Sequence, residues 1–368
     1  MQEQLIFFDE NNSPNDYEID SHLNHPDCPL NQVIVSDKNE GSMNMLKLFA
    51  HNAYARANHS CRGMSFVIYC SAGQGKTYLV RQFAGTIGIP FVFIQSDSLL
   101  DNNHLFNLLS EAFQSITPLT EVSEDTYVIP PCIVFFDEVH ALSNKAVDGL
   151  LNPMEFNDGI MRITSGKGNK TKTITVDCRE ICWVGATTEE GKLPGPFASR
   201  LETSITWHPA GEKEIYEIVK SKYPQLPDEA CKAVTKYRKI PRAAVAFARL
   251  MTMAREKDEF LTWESAADTI AKNMNLDEHG MPLRQVSVLA ALGQRPISKS
   301  ILALQLKCNI EALEKVILPP LLQYGENGAL IVPTRKGYAI TKAGLVELDK
   351  RNIDHKGDRI TVECIERN

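Results

Sequence analysis

No stretch of this sequence approaches the roughly 18 consecutive apolar residues that a membrane span needs, so no membrane partner is expected. The first residues, Met1 to Leu5, carry neither a basic run nor an apolar core, and no secretory leader is expected. The nine cysteines include no Cys-x-x-Cys spacing, and Cys178 and Cys182 have no His or second Cys pair nearby. They read as buried, reduced thiols of a cytoplasmic protein rather than metal ligands. Positive charge is not in excess either. A formal net charge of −7 excludes a broadly basic surface, so any nucleic-acid contact must come from local patches. Internal repeats are absent. What remains is an ordinary globular composition, 43% hydrophobic and 23% charged. A chain of 368 residues is long enough for two or three domains.

Against these absences stands an ordered series of motifs. Cys70-Ser-Ala-Gly-Gln-Gly-Lys-Thr77 follows a short apolar strand, Ser65 to Tyr69, and precedes a helical stretch, Tyr78 to Ile87. That is the setting of a phosphate loop. Ser71, Ala72, Gly73, Gln74, Gly75, Lys76, Thr77 and Tyr78 would cradle the phosphates of ATP, with a helix N-terminus behind them. Lys76 is the point charge for the β- and γ-phosphates, and the Thr77 hydroxyl is a ligand for Mg²⁺. Cys70 stands where the pattern has its first glycine, a position that often needs open backbone geometry. Tuned affinity, not loss of binding, is expected.

Ile133 to Phe136 is an apolar strand ending in Asp137 and Glu138. Asp137 suits Mg²⁺ or its water shell, and Glu138 suits a general base for the attacking water. A second strand, Ile181 to Val184, runs on to Thr187 and Thr188; the Thr188 hydroxyl can hold that water or sense the γ-phosphate. Arg200 lies twelve residues further on. It is placed to act in trans on a neighbouring subunit's nucleotide if subunits form a ring. Arg242 follows Pro241 at a helix start and would touch the γ-phosphate of its own subunit.

Strands alternating with helices predict an α/β fold, a three-layer phosphate-loop domain around a parallel sheet. The expected organisation is an acidic, mostly disordered tail over 1–30, with seven acidic residues and no Lys or Arg. A large ATPase domain over 31–208 follows, then a helical lid over 209–276. Three helices and a two-stranded wing make 277–352 a winged helix, and 353–368 is a C-terminal tail. Alternation on both sides of a Ser165-to-Asn169 turn predicts a β-hairpin insertion over 161–176.

At these residues the chain resembles the AAA+ ATPases, and among them the RuvB-type Holliday-junction branch-migration motors. Asp137-Glu-Val-His-Ala-Leu142, Leu151-Asn-Pro-Met-Glu155, Val184-Gly-Ala-Thr-Thr188, Ser199-Arg200, Pro241-Arg242 and the wing Thr334 to Thr341 carry the resemblance. It implies a hexameric ring that pulls duplex or branched DNA, with the hairpin 161–176 docking on a RuvA-like partner. The chain departs from the family at Cys70-Ser-Ala72, at Tyr338 and at Ile240.

From Met281 to Asp349 there are eight Lys/Arg and five Asp/Glu. Arg335, Lys336 and Lys342 are the expected phosphate contacts. The helix 309–324 contains Glu311 and Glu314 and is otherwise mostly apolar, a poor base reader, so little sequence preference is expected. Gln2 to Phe8 resembles a sliding-clamp docking peptide, against the alternative of an apolar N-terminus packed on its own domain. Two other functions fit the motifs: a clamp-loader or helicase-loader ATPase, and a nucleotide-switched DNA-binding protein with weak hydrolysis.

Overall fold

A computed structural model of the protein describes residues 16–56, 59–99, 101–114, 120–123, 125–165, 172–322 and 328–355. The chain forms two compact units, Met1–His208 and Pro209–Asn368. The first unit begins with helices α1 (Asp16–Asn24) and α2 (Glu40–Tyr54). It continues through β1 (Phe66–Tyr69), α3 (Lys76–Ile87), β2 (Phe91–Gln95), α4 (Asn102–Gln114), β3 (Thr120–Ser123), β4 (Thr126–Val128) and β5 (Cys132–Asp137). The remainder is α5 (Asn144–Leu150), β6 (Ile160–Ser165), β7 (Lys172–Asp177), β8 (Ile181–Thr187), α6 (Gly195–Ala198) and β9 (Thr203–Thr206).

The main sheet has the order β2-β5-β8-β1-β9, with every neighbouring pair parallel. Its strands are near-continuous apolar runs because both faces are covered. Successive side chains point to opposite faces, and the sequence divides accordingly. Phe66, Ile68, Ile133, Phe135, Cys182 and Val184 enter one core with α2 and α3. Val67, Val134, Phe136, Ile181 and Trp183 enter the other with α4 and α5. This is the three-layer α/β arrangement. Thr187 at the end of β8 pairs with Tyr69 at the end of β1, and the chain leaves β1 for β2, three places away beyond β8 and β5. Such a switch point opens a crevice at the carboxyl ends of the strands, where α/β sheets bind ligands.

Two expectations need correction. Residues 16–30 are folded, not part of a disordered tail. Ile19 and Leu23, one helical turn apart, are buried together with Cys28 and Leu30. The Thr86 hydroxyl accepts from Leu30 N at 3.0 Å, and the Tyr54 hydroxyl meets His22 Nε2 at 2.7 Å. Glu18 and Asp20 of α1 are exposed, which is why composition alone suggested disorder. Residues 2–8, with the clamp-like peptide, lie outside the described residues. The insertion is also larger than a hairpin. β6 and β7 pair antiparallel as expected, but β4 adds to β7 in parallel and β3 to β4 antiparallel, giving a four-stranded sheet β3-β4-β7-β6. The expected turn at 166–168 lies outside the described residues.

The second unit starts with four helices, α7 (Glu212–Lys222), α8 (Asp228–Tyr237), α9 (Pro241–Lys257) and α10 (Trp263–Asn273), around one apolar core. Then come α11 (Leu283–Leu292), α12 (Lys299–Gln305), α13 (Ile310–Ala312), a π-helical turn over Leu313–Ile317, and α14 (Leu318–Leu322). Pro319 and Pro320 lack N–H donors and crowd the preceding carbonyls, which accounts for the wide turn just before them. The wing pairs β10 (Ile331–Thr334) with β11 (Gly337–Ile340), and Ile297 bridges to Tyr338 as a third, single-residue rung. Helix α15 (Lys342–Asp349) closes the unit. Residues 323–327 and 356–368 lie outside the described residues.

Candidate functional site

The site is built at the carboxyl ends of β1, β5 and β8. Strand β1 ends at Tyr69, and Cys70 N donates to Thr187 O of β8 at 3.1 Å, which fixes the start of the loop against the sheet. Gly73 and Gly75 have φ of +77° and +90°, a region that side chains disfavour. Gly75 is the N-cap of α3, so the first amides of that helix are left for an anion. Cys70 takes no positive φ, so its side chain costs the loop no backbone strain. Burial pushes its thiol up to about 12, and the group is therefore a neutral, inert sulfur at pH 7.

Lys76 is only 7% exposed. Its Nζ donates to Cys70 O at 3.2 Å and to Glu138 Oε1 at 3.1 Å. Glu138 follows β5 with φ +49°, and this left-handed turn aims its carboxylate back over the loop. The other oxygen, Oε2, accepts from Thr188 N at 3.2 Å and from Thr188 Oγ1 at 3.1 Å. Three residues far apart in sequence thus meet on one carboxylate. Asp137 sits at the strand end, its carbonyl accepting from Ser96 Oγ at 2.7 Å, and the residue is half-buried.

His140, the trailing histidine of the acidic stretch but given no role from the sequence, joins this network. Its Nδ1 lies 2.7 Å from Thr187 Oγ1 and 3.5 Å from Glu138 Oε2, and its Nε2 lies 3.4 Å from Glu189 Oε1. Lys192 pairs with Glu189 at 2.6 Å and, through that hydrogen bond, holds its carboxyl below the usual range. The signal was present in the sequence: a histidine two residues beyond an acidic strand end.

Arg200 stands apart from this cluster, just after α6. Its three nitrogens contact Leu151 O, Pro196 O and Glu155 within its own subunit. Arg242 belongs to the second unit, exposed in the first turn of α9. Arg335, Lys336 and Lys342 are exposed at the wing.

The donor set fits a magnesium nucleotide. The amides at the start of α3 and a buried lysine suit phosphate, and a hydroxyl and a carboxylate are the hard oxygen ligands that Mg²⁺ accepts beside phosphate and water. Among the described residues no three His, Cys, Asp or Glu side chains cluster as for a resident metal. No helix among them is long and apolar enough to cross a membrane.

Residues 66–208 match the ATPase family associated with various cellular activities (AAA). The Holliday junction branch migration complex subunit RuvB of Thermotoga maritima is 30% identical over 226 residues, 57% of this chain and 64% of that protein. RuvB of Campylobacter jejuni is 29% identical over 202 residues, 52% of this chain and 60% of that protein. RuvB of Campylobacter hominis is 25% identical over 284 residues, 75% of this chain and 77% of that protein. The chain thus spans about 60% of the length of the C. jejuni relative that it matches. The solved structure of the T. maritima RuvB motor superimposes with a TM-score of 0.62 at 19% identity, covering 86% of this chain and 95% of that one. Over residues 66–208 the chain thus resembles the AAA family, and it is similar to RuvB proteins in sequence over part of its length and in fold over most of it.

Proposed function

We propose that this RuvB-like AAA+ chain is an ATP-driven DNA motor of the branch-migration type. Subunits assemble into a ring, hexameric by resemblance, hydrolyse ATP at their interfaces and turn each cycle into movement along duplex DNA. The observation that carries this reading is Glu138, held between Lys76 and Thr188 at the mouth of the phosphate loop. The carboxylate accepts from Lys76. With a nucleotide bound, Lys76 turns to the β- and γ-phosphates, leaving Glu138 free to polarise a water that Thr188 orients. Thr77 and Asp137 would hold Mg²⁺, which supplies charge neutralisation to the phosphates.

Arg200 acts on the neighbouring subunit's nucleotide, and Arg242 on that of its own subunit. Arg335, Lys336 and Lys342 contact the DNA backbone. The sheet that contains residues 161–176 receives a RuvA-like partner.

The test is ATP turnover and strand displacement on four-way junctions and on linear duplex, with and without a RuvA-like protein. Junction-stimulated turnover with strand exchange is expected. Stimulation by a clamp or a replicative helicase, with no action on junctions, would assign a loader instead. Negligible turnover in assembled rings with DNA would assign a nucleotide switch.

A further inference from the structure

Arg200 is moored at three of its nitrogens within its own subunit. Its Nε donates to Leu151 O at 2.8 Å, its Nη1 to Pro196 O at 2.9 Å, and its Nη2 reaches Glu155 Oε1 at 2.7 Å. Three of the five guanidinium donors are therefore engaged, and one hydrogen on each terminal nitrogen is left. The side chain keeps 22% exposure.

The frame that holds it is rigid. Phe197 of α6 is fully buried and meets the Phe136 ring edge-to-face at 5.9 Å, which pins Pro196 and the turn that carries Arg200. Leu151 follows α5, whose Leu150 is buried, and Met154 beside Glu155 is buried as well. Glu155 N donates to Asn152 O at 3.1 Å, which fixes the backbone beneath its carboxylate.

We propose that Glu155 is a positioning residue, which holds the Arg200 guanidinium at the angle it needs to meet a neighbouring subunit's γ-phosphate. The proposal rests on the reading of Arg200 as a finger acting in trans. A carboxylate that merely sequestered the finger would hold it through a side-chain pair that a phosphate could replace. Here the two main-chain carbonyls hold Nε and Nη1, and Glu155 fixes the remaining corner at Nη2, so all three together orient the guanidinium while one hydrogen on each terminal nitrogen stays available. Fixing this flexible side chain in advance lowers the entropy lost when the phosphate arrives.

Mixed rings isolate the effect. Glu138→Gln subunits keep the finger and lose the base, whereas Arg200→Ala subunits keep the base and lose the finger. Their mixture hydrolyses ATP only where a Glu138→Gln subunit lends its arginine to an Arg200→Ala neighbour. Glu155→Ala placed on the Glu138→Gln subunit should lower turnover at saturating ATP by about tenfold with KM unchanged, the scale of a finger displaced by less than about 1 Å. The same change on the Arg200→Ala subunit should have no effect. Glu155→Gln, which keeps an acceptor oxygen, should recover most of the activity. Equal losses on both subunits, no loss on either, a rise in turnover, or a loss that only tracks a lowered Tm would each overturn the proposal. If the parent mixture is no more active than its components, the trans reading itself fails, and the positioning role with it.

Discussion

Glu138 shows how a single residue is set for its task. Its left-handed backbone, φ +49°, costs a non-glycine residue on the order of 1–3 kcal/mol. The cost is offset by four contacts on its carboxylate, from Lys76, Thr188 N, Thr188 Oγ1 and His140. Glu138→Gln should retain ATP binding and lose turnover by about 10²–10⁴-fold, the usual contribution of a general base; single-turnover kinetics with a binding titration would separate the two. His140→Asn keeps a nitrogen near Glu138 and Thr187 and should keep most of the activity that His140→Ala loses. Equal turnover in the two variants would exclude His140 from the network. Because burial raises the Cys70 thiol to about 12, little thiolate exists at pH 8. Alkylation of the folded protein at that pH should therefore leave Cys70 unmodified by mass spectrometry. The motif residues were legible in the sequence because phosphate chemistry demands fixed residue types at fixed spacing. The role of Glu155 was not, since the stretch that contains it gives no hint of its partner, which lies 45 residues away at Arg200.

At the scale of elements, the core strands were legible because apolar runs ending in polar motifs identify buried parallel strands. Helix α1 was missed because it buries only one narrow stripe, Ile19 and Leu23, in an acidic segment. The π turn was missed because apolar spacing over 309–324 does not register the missing donors of Pro319 and Pro320. The link between α10 and α11 depends on a different local rule. Gly280 has φ +83°, and a Cβ there would lie 2.2 Å from Tyr237 O. Both the backbone and the space forbid a side chain, so Gly280→Ala should destabilise the second unit by more than about 1 kcal/mol. Calorimetry that found an unchanged Tm would contradict this close approach.

At the scale of the whole molecule, the acidic total charge coexists with local ion networks. In the second unit, Arg351, whose side chain is 5% exposed, joins Asp277 to Glu347 of α15. Burial alone would raise the Glu347 carboxyl, but hydrogen bonds from Lys350 and Arg351 outweigh it and hold the group below its ordinary value of 4.5. The native state therefore binds fewer protons than the unfolded chain near that pH. The stabilisation is complete above 4.5 and is lost as the pH falls below it. The Tm difference between wild type and Glu347→Gln should be large at pH 7 and should close on acidification. At the wing, Arg335→Ala/Lys336→Ala should weaken duplex binding and reduce its salt slope by about two; an unchanged slope would remove the wing from the DNA interface.

The four-stranded sheet limits how the chain can be re-engineered. β4 lends its edge to β7 across some fifty residues of intervening chain. Cutting out 160–177 to make a partner-blind variant would strip that edge and leave β4 with an unpaired row of amides and carbonyls, a template for aggregation. The insertion cannot be transplanted as a lone hairpin. A chimaera must carry 120–128 along with it, or supply an edge that ends the sheet.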